Sequence, residues 1–265
     1  MKRRPFCRID RDGCIACGGR VFERRSVISD ALASAWGLSA RERAEFDERE
    51  GQACAACQMS KRVRMLLWSI RKLFPSASSL RVLHCNQVNG LSPWLRTLGQ
   101  VTETCYRPEL ALGAKAGELV NEDICQLSFG SHSFDLAIHS ETLEHVFDFN
   151  QALREVERVL RPGGVQVYTV PLLHGRATRQ RMEREADGRV LQLLARSFHG
   201  SEGEFPVVWE FGHDFFAQRS THIVELHYDL YWRNRTVFSV VERKKAVADR
   251  EPVDSRVFSQ PKERE

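Results

Sequence analysis

The stretch Asn121-Glu-Asp-Ile-Cys-Gln-Leu-Ser-Phe-Gly-Ser-His-Ser-Phe-Asp-Leu-Ala-Ile-His-Ser-Glu-Thr-Leu-Glu-His-Val146 decides how this chain is read. After a helix-like segment it continues into Val159-Leu-Arg-Pro-Gly-Gly-Val-Gln-Val-Tyr-Thr-Val170. An acidic strand end at Asp123, a Phe-Asp pair opening an apolar strand, and an Arg-Pro-Gly-Gly turn before a further strand follow one another in order. The segment between them, Asp148 to Leu160, puts Ala152, Leu153, Val156, Val159 and Leu160 on one helical face, with Asp148 or Asn150 as its cap.

Outward from this centre the same alternation continues. Leu80–His84, Val101–Cys105, Glu118–Asp123, Phe134–His139 and Val165–Val170 read as short apolar strands. Helical spacing of Val63, Leu66, Leu67, Ile70 and Leu73 predicts a helix from Met59 to Phe74, broken by Pro75, and another starts at Leu91. Strands alternating with helices imply a parallel sheet covered on both faces, with binding at the carboxyl ends of its strands.

At 265 residues the chain has room for one sizeable α/β domain and a small accessory module. The net charge of +4 is too small to argue for nucleic acid. Met1-Lys-Arg-Arg-Pro5 is basic, but no apolar run follows it, so it does not read as a secretory signal. Met65-Leu-Leu-Trp-Ser-Ile70 is too short to cross a bilayer. A cytoplasmic location follows as the expectation, and the eight cysteines are then expected as thiols or metal ligands.

Four cysteines fall as two pairs, Cys14-x-x-Cys17 and Cys54-x-x-Cys57. Two residues between thiolates let both sulfurs of a tight turn face one tetrahedral ion, and two pairs complete a structural zinc shell. Gly13, Gly18 and Gly19 supply permissive backbone around the first pair. The separation between the pairs exceeds ribbon spacing, which is accounted for if residues 29–50 form an inserted helix or helical hairpin. Residues 1–58 are expected as a zinc-ribbon-like module, 59–245 as the α/β domain, and 246–265, charged and Pro-containing, as a disordered tail. The module either staples the N-terminus to the main domain or grips a partner, RNA included, through Lys61, Arg62 and Arg64.

The pieces Asp123-Ile-Cys-Gln-Leu-Ser-Phe129, Ser133-Phe-Asp-Leu-Ala-Ile138, Leu143-Glu-His-Val146 and Leu160-Arg-Pro-Gly-Gly164 resemble class I S-adenosylmethionine-dependent methyltransferases, in particular the methyltransferase type 11 family. The resemblance implies a Rossmann-like seven-stranded sheet whose last strand is antiparallel, with Thr221–His227 and Thr236–Glu242 as strands six and seven. It also implies S-adenosylmethionine as cofactor. Asp123 with the backbone of Ile124 would hold the adenine, and Ser140 and Glu141 would line the floor beneath the methionine part. The glycine-rich loop of the family, acidic-x-Gly-x-Gly-x-Gly, is represented by His84, Asn86, Val88 and Gly90. Asn tolerates positive φ in place of glycine, whereas Val is poorly suited to it. Cys105 stands where an acidic residue is expected at the end of strand two, leaving Glu103 or Glu109 to take the ribose. His145, beside Glu144, is the family-like base, and His199 and His213 are further acceptor-side candidates.

The Arg-rich residues 174–200 suit a basic lid over an anionic acceptor or a plain solvated helix. The function expected is methyl transfer from S-adenosylmethionine to a small-molecule or saccharide acceptor, with structural zinc. The alternatives are a methyltransferase-fold scaffold with a decayed cofactor loop and an RNA-binding methyltransferase.

Overall fold

A computed structural model describes residues 6–7, 9–10, 12–76, 79–87, 90–173, 175–199, 205–219, 222–229 and 238–244. The expected tail at 246–265, Val88 of the first loop and the connection at 230–237 lie outside these residues.

Seven strands make the body of the main sheet: β1 (Leu80–His84), β2 (Gly99–Cys105), β3 (Leu119–Asn121), β4 (Phe134–Ser140), β5 (Leu160–Thr169), β6 (His222–Asp229) and β7 (Phe238–Lys244). Their order is 3-2-1-4-5-7-6, and two-residue strands at Phe6–Cys7 and Lys115–Ala116 extend the two edges to nine. β1 to β5 run parallel, while β7 is antiparallel to both β5 and β6. This is the α/β class expected from the alternation and the Rossmann-like sheet implied by the resemblance, with two extra edge strands that are too short to leave a pattern.

Alternation along the strands sorts the core into two layers. Leu83, Ala137, Tyr168 and Val240 face the helix Phe149–Val159, whose Ala152, Leu153, Val156 and Val159 are buried. Val82, Leu136, Ile138, Val167 and Val241 face the helix Lys61–Leu73 through Val63, Leu66, Leu67 and Ile70. The first of these helices is capped by Asp148, which accepts from Gln151 N at 2.8 Å. The second is capped by Ser60, so its first residue, Lys61, lies two residues inside the expected start.

The turns at the amino ends of β1, β4 and β5 are architectural. Asp135 accepts from the backbone of Arg81 at 2.6 Å and pairs with Arg161 at 2.5 Å, tying the start of β1 to the Arg-Pro-Gly-Gly turn. That turn is looped out inside β5, because Phe134 pairs with Leu160 while Leu136 pairs with Val165.

The insertion between the cysteine pairs is helical, as the spacing predicted. It contains α1 (Asp30–Trp36) and α2 (Ala40–Phe46), followed by one π turn at Asp47–Gly51. Ser39 and Glu42 form a reciprocal capping box that starts α2. Residues 174–200 correct the sequence reading. Instead of a solvated helix, the described part forms a β-hairpin between Met182–Arg184 and Val190–Gln192. No helix among the described residues is long and apolar enough to cross a membrane.

Candidate functional site

Two turns of matching geometry bring the four cysteines together. Gly18 N donates to Cys14 O and Gln58 N donates to Cys54 O, at 2.7 and 2.8 Å. Gly18 and Gln58 both sit at positive φ, 75° and 58°. Each first cysteine's amide then closes onto the residue one further along, Gly19 O or Met59 O. Glycine at the first turn was visible in the sequence; Gln58 doing the same work at the second was not. Cys14 and Cys57 Sγ are 3.6 Å apart, as are Cys17 and Cys54 Sγ, and all four sulfurs lie within 4.8 Å of one another. Burial pushes the Cys14 thiol up to about 12. Burial also opposes ionisation of Cys54, but the amides of Cys57 and Ala56 outweigh it and bring that thiol down to about 7.

This cysteine cluster is part of the main core. Cys14, Cys54 and Met59 share one hydrophobic cluster with Leu66, Val82 and Leu91. Met59 lies against Gly90, at the loop after β1. In that loop Asn86 adopts φ 52° and Gly90 φ 79°, so the asparagine does take the left-handed conformation of a glycine.

The carboxyl ends of β1, β2, β3 and β4 collect the residues singled out from the sequence. His84 and Glu103 are register partners, with His84 Nδ1 3.4 Å from Glu103 Oε1. Glu103 also accepts from Gln87 at 3.1 Å and from Arg96 at 2.8 Å. Burial raises its carboxyl, but hydrogen bonds from Ser92, Gln87 and His84 together with the Arg96 charge hold it below its ordinary value. Burial lowers His84. Asp123 follows β3 and accepts from Cys125 N at 2.8 Å, a side-chain turn that exposes neither Ile124 nor Leu127. Ser140, the last residue of β4, is 2.6 Å from Thr169 Oγ1 on β5 and accepts from Arg62. Glu141 turns off that strand at φ 49°, a strained conformation for a residue with a β-carbon.

Around Glu141 lies a buried ion cluster that the sequence did not reveal. Arg49, from the π turn of the insertion, donates to Glu141 at 3.2 Å and to Glu50 at 2.8 Å. Arg62 donates to Glu50 at 2.7 Å. Burial raises Glu50, but Arg62 and Arg49 overcome it and hold its carboxyl low. Burial raises Glu141, and the neighbouring Glu50 adds to the rise. Burial, with Glu141 beside it, raises Glu144 well above the ordinary carboxylate range.

Glu144 and His145 sit on the 3-10 turn Leu143–His145, just beyond β4. His145 Nδ1 donates to Pro206 O at 2.9 Å, and its Nε2 is 3.1 Å from His199 Nδ1. The hairpin Phe198–His199 with Phe205–Pro206 thus supplies both of His145's partners. Burial lowers both imidazoles, His199 down to about 3. Trp36, at the end of α1, covers His199 with ring centroids 5.6 Å apart and donates to Ser197 Oγ at 2.5 Å. His213, the third candidate, is exposed and bonded to Arg176 O at 2.8 Å.

The basic residues suggested for RNA contact are internal. Lys61 is 3% exposed and pairs with Glu48, Arg62 joins the ion cluster, and Arg64 is fully buried on Asp10. Several arginines of 174–200 are committed in the same way: Arg179 and Arg181 pair with Glu210, and Arg176 caps α1 through Trp36 O and Gly37 O. A cleft of about 610 Å³ lined by Arg154, Arg158, Arg161 and His222 lies at the opposite, amino end of β5, away from all these groups.

Residues 76–168, about a third of the chain, match the family model described as a methyltransferase domain. No curated protein matches. Among solved structures, the chain is similar to an S-adenosylmethionine-dependent methyltransferase from Mesorhizobium loti, with 20% identity and a TM-score of 0.44 over 68% of this chain and 98% of that one. The PH0226 protein from Pyrococcus horikoshii gives 18% identity and a TM-score of 0.43 over 72% of this chain and 94% of that one. A 1,6-didemethyltoxoflavin-N1-methyltransferase from Burkholderia thailandensis gives 16% identity and a TM-score of 0.45 over 70% of this chain and 79% of that one.

Proposed function

We propose that this protein is an S-adenosylmethionine-dependent methyltransferase acting on a small-molecule or saccharide acceptor, with a structural zinc ion on Cys14, Cys17, Cys54 and Cys57. The observation that carries the reading is the coincidence of the family-pattern segment, residues 76–168, with strands β1 to β5 of a 3-2-1-4-5-7-6 sheet. Asn86 at positive φ is what a working loop needs once the usual glycines are missing, which favours an active protein over a decayed scaffold. Burial of Lys61 and Arg64 and the pairing of Arg62 with Glu50 argue against the RNA grip suggested for these three cations.

In this reading Asp123 and the backbone of Ile124 bind the adenine, and the ionised Glu103, fixed by His84, takes the ribose. Asn86 and Gly90 are the loop residues assigned to the methionine part, with Ser140 and Glu141 as its floor. Methyl transfer from a sulfonium to an oxygen or nitrogen is largely a matter of in-line positioning, so the chain's task is to align two ligands and exclude water. Trp36 and the paired strands Phe198–His199 and Phe205–Pro206 close the acceptor side beside His145, whose Nδ1 is held by Pro206 O. The sulfur separations of 3.6 Å fit zinc, since Zn–S bonds of about 2.3 Å at tetrahedral angles give edges of about 3.8 Å.

Calorimetric titration of the full chain with S-adenosylmethionine and with its demethylated product tests the reading. Saturable binding that weakens at least tenfold in Asp123→Ala is expected. Folded, zinc-loaded protein that binds neither ligand overturns it in favour of a scaffold role.

A further inference from the structure

We infer that Glu144, His145 and His199 form a second metal site, which takes one divalent transition ion of the zinc class. Their ligand atoms form a compact triangle, with His145 Nε2 3.1 Å from His199 Nδ1 and Glu144 Oε1 3.6 Å from each nitrogen. Zinc bonds to nitrogen and oxygen of about 2.0–2.2 Å at tetrahedral angles give ligand–ligand edges of about 3.3–3.6 Å. The triangle therefore already has the dimensions of one face of a coordination polyhedron.

A second observation points to a missing partner. Glu144 is fully buried, and neither of its carboxylate oxygens has a hydrogen-bond partner among the described residues. An ionised carboxylate left in this way is costly. A cation between Glu144 and the two imidazoles satisfies the carboxylate and both ring nitrogens at once.

The histidines are set up for this. Pro206 O accepts from His145 Nδ1, which fixes the tautomer and leaves the Nε2 lone pair facing His199 and Glu144. The surrounding charge also favours a cation. Among the described residues, Arg49 and Arg62 are already engaged by Glu50 and Glu141, so an ionised Glu144 adds a negative charge that these pairs do not neutralise. Two nitrogens and a carboxylate suit zinc, cobalt or iron, whereas magnesium and calcium prefer oxygen alone.

Three protein ligands leave at least one coordination position, as in catalytic rather than structural zinc sites. An acceptor hydroxyl bound there would ionise more readily, and that role alone rests on the methyltransferase reading. The metal site itself does not.

The test is equilibrium dialysis of full-length protein against zinc chloride in the absence of S-adenosylmethionine, followed by metal analysis. Wild type is expected to hold two equivalents, one on the cysteines and one here. Glu144→Gln and His199→Ala are each expected to hold one, with the second site weakened at least tenfold. Cobalt added to protein whose cysteine site is already zinc-filled should give a visible d–d spectrum without thiolate charge-transfer bands, and His199→Ala should abolish it. A metal content that is the same in folded His199→Ala as in wild type overturns the inference. Should Glu144→Gln fail to fold, His199→Ala decides alone, since its side chain is partly exposed. Loss of cofactor binding with retained metal would overturn the methyltransferase reading and leave this site standing.

Discussion

Gly90 and Met59 are in contact: a β-carbon built on Gly90 would stand 3.0 Å from Met59 Cγ. The turn that carries Cys54 and Cys57 therefore presses on the loop after β1. The sequence separates these as two modules, but the fold packs them as one surface.

That contact yields the first prediction. Gly90→Ala suffers both the crowding and the φ of 79°, for a cost of about 1–2 kcal/mol concentrated in the loop. Affinity for S-adenosylmethionine, measured by calorimetry, is expected to fall about tenfold while zinc content stays unchanged. Adding Met59→Ala should recover only the part of the loss due to crowding.

Loss of zinc should reach the same loop from the other side. Cys54 is fully buried, and Cys54→Ser is expected to lose the metal and lower the thermal midpoint by about 5–10 °C, the equivalent of about 3 kcal/mol for a domain of this size. Cofactor affinity should fall with it, which separates this outcome from that of a detached, purely tethering module. Differential scanning calorimetry with metal analysis on the same samples checks both.

Arg62 gives a prediction opposite to that of a nucleic-acid contact. Arg62→Met leaves Glu50 without its closest guanidinium and is expected to cost about 3–5 kcal/mol in urea unfolding. The double substitution with Glu50→Gln should be less damaging than the two losses added together, because it removes the stranded charge. Salt-dependent RNA binding that disappears in Arg62→Met with unchanged stability would contradict this.

Acid stability is set in part by His139. It is fully buried, stacks on Tyr168 at 4.6 Å between centroids, and is lowered by burial from 6.5 to about 4, although Gln166 pulls the other way. Between these values the unfolded chain binds a proton that the folded chain refuses. Stability is therefore complete above about pH 6.5 and is lost as the pH falls toward 4, by about 3 kcal/mol from this residue. His139→Phe keeps the stacked ring and is expected to flatten that limb of a urea-midpoint profile against pH.

What could be read in advance follows from which interactions are local. The helix Phe149–Val159 and the strands Leu80–His84 and Phe134–Ser140 were legible because their apolar residues recur at 3.6 or 2 positions. The CxxC turns were legible because two residues between cysteines make a tight turn that faces both sulfurs the same way. Asn86 was legible as a glycine substitute because its backbone freedom is intrinsic to its side chain.

The ion cluster and the Glu144–His145–His199 triangle were not. Arg49 and Arg62 look like solvated helix charges, and His199 lies far along the chain from Glu144 in a hairpin that carries little alternation. Periodicity reports which face of an element is buried, never which distant element covers it. Residue types and local spacing thus determined the α/β sheet, the cysteine turns and the candidate strand ends. Only the tertiary structure decided that the inserted helices fold over the carboxyl ends of β4 and β5, where burial raises the energy of every unpaired charge and makes the choice of partners matter.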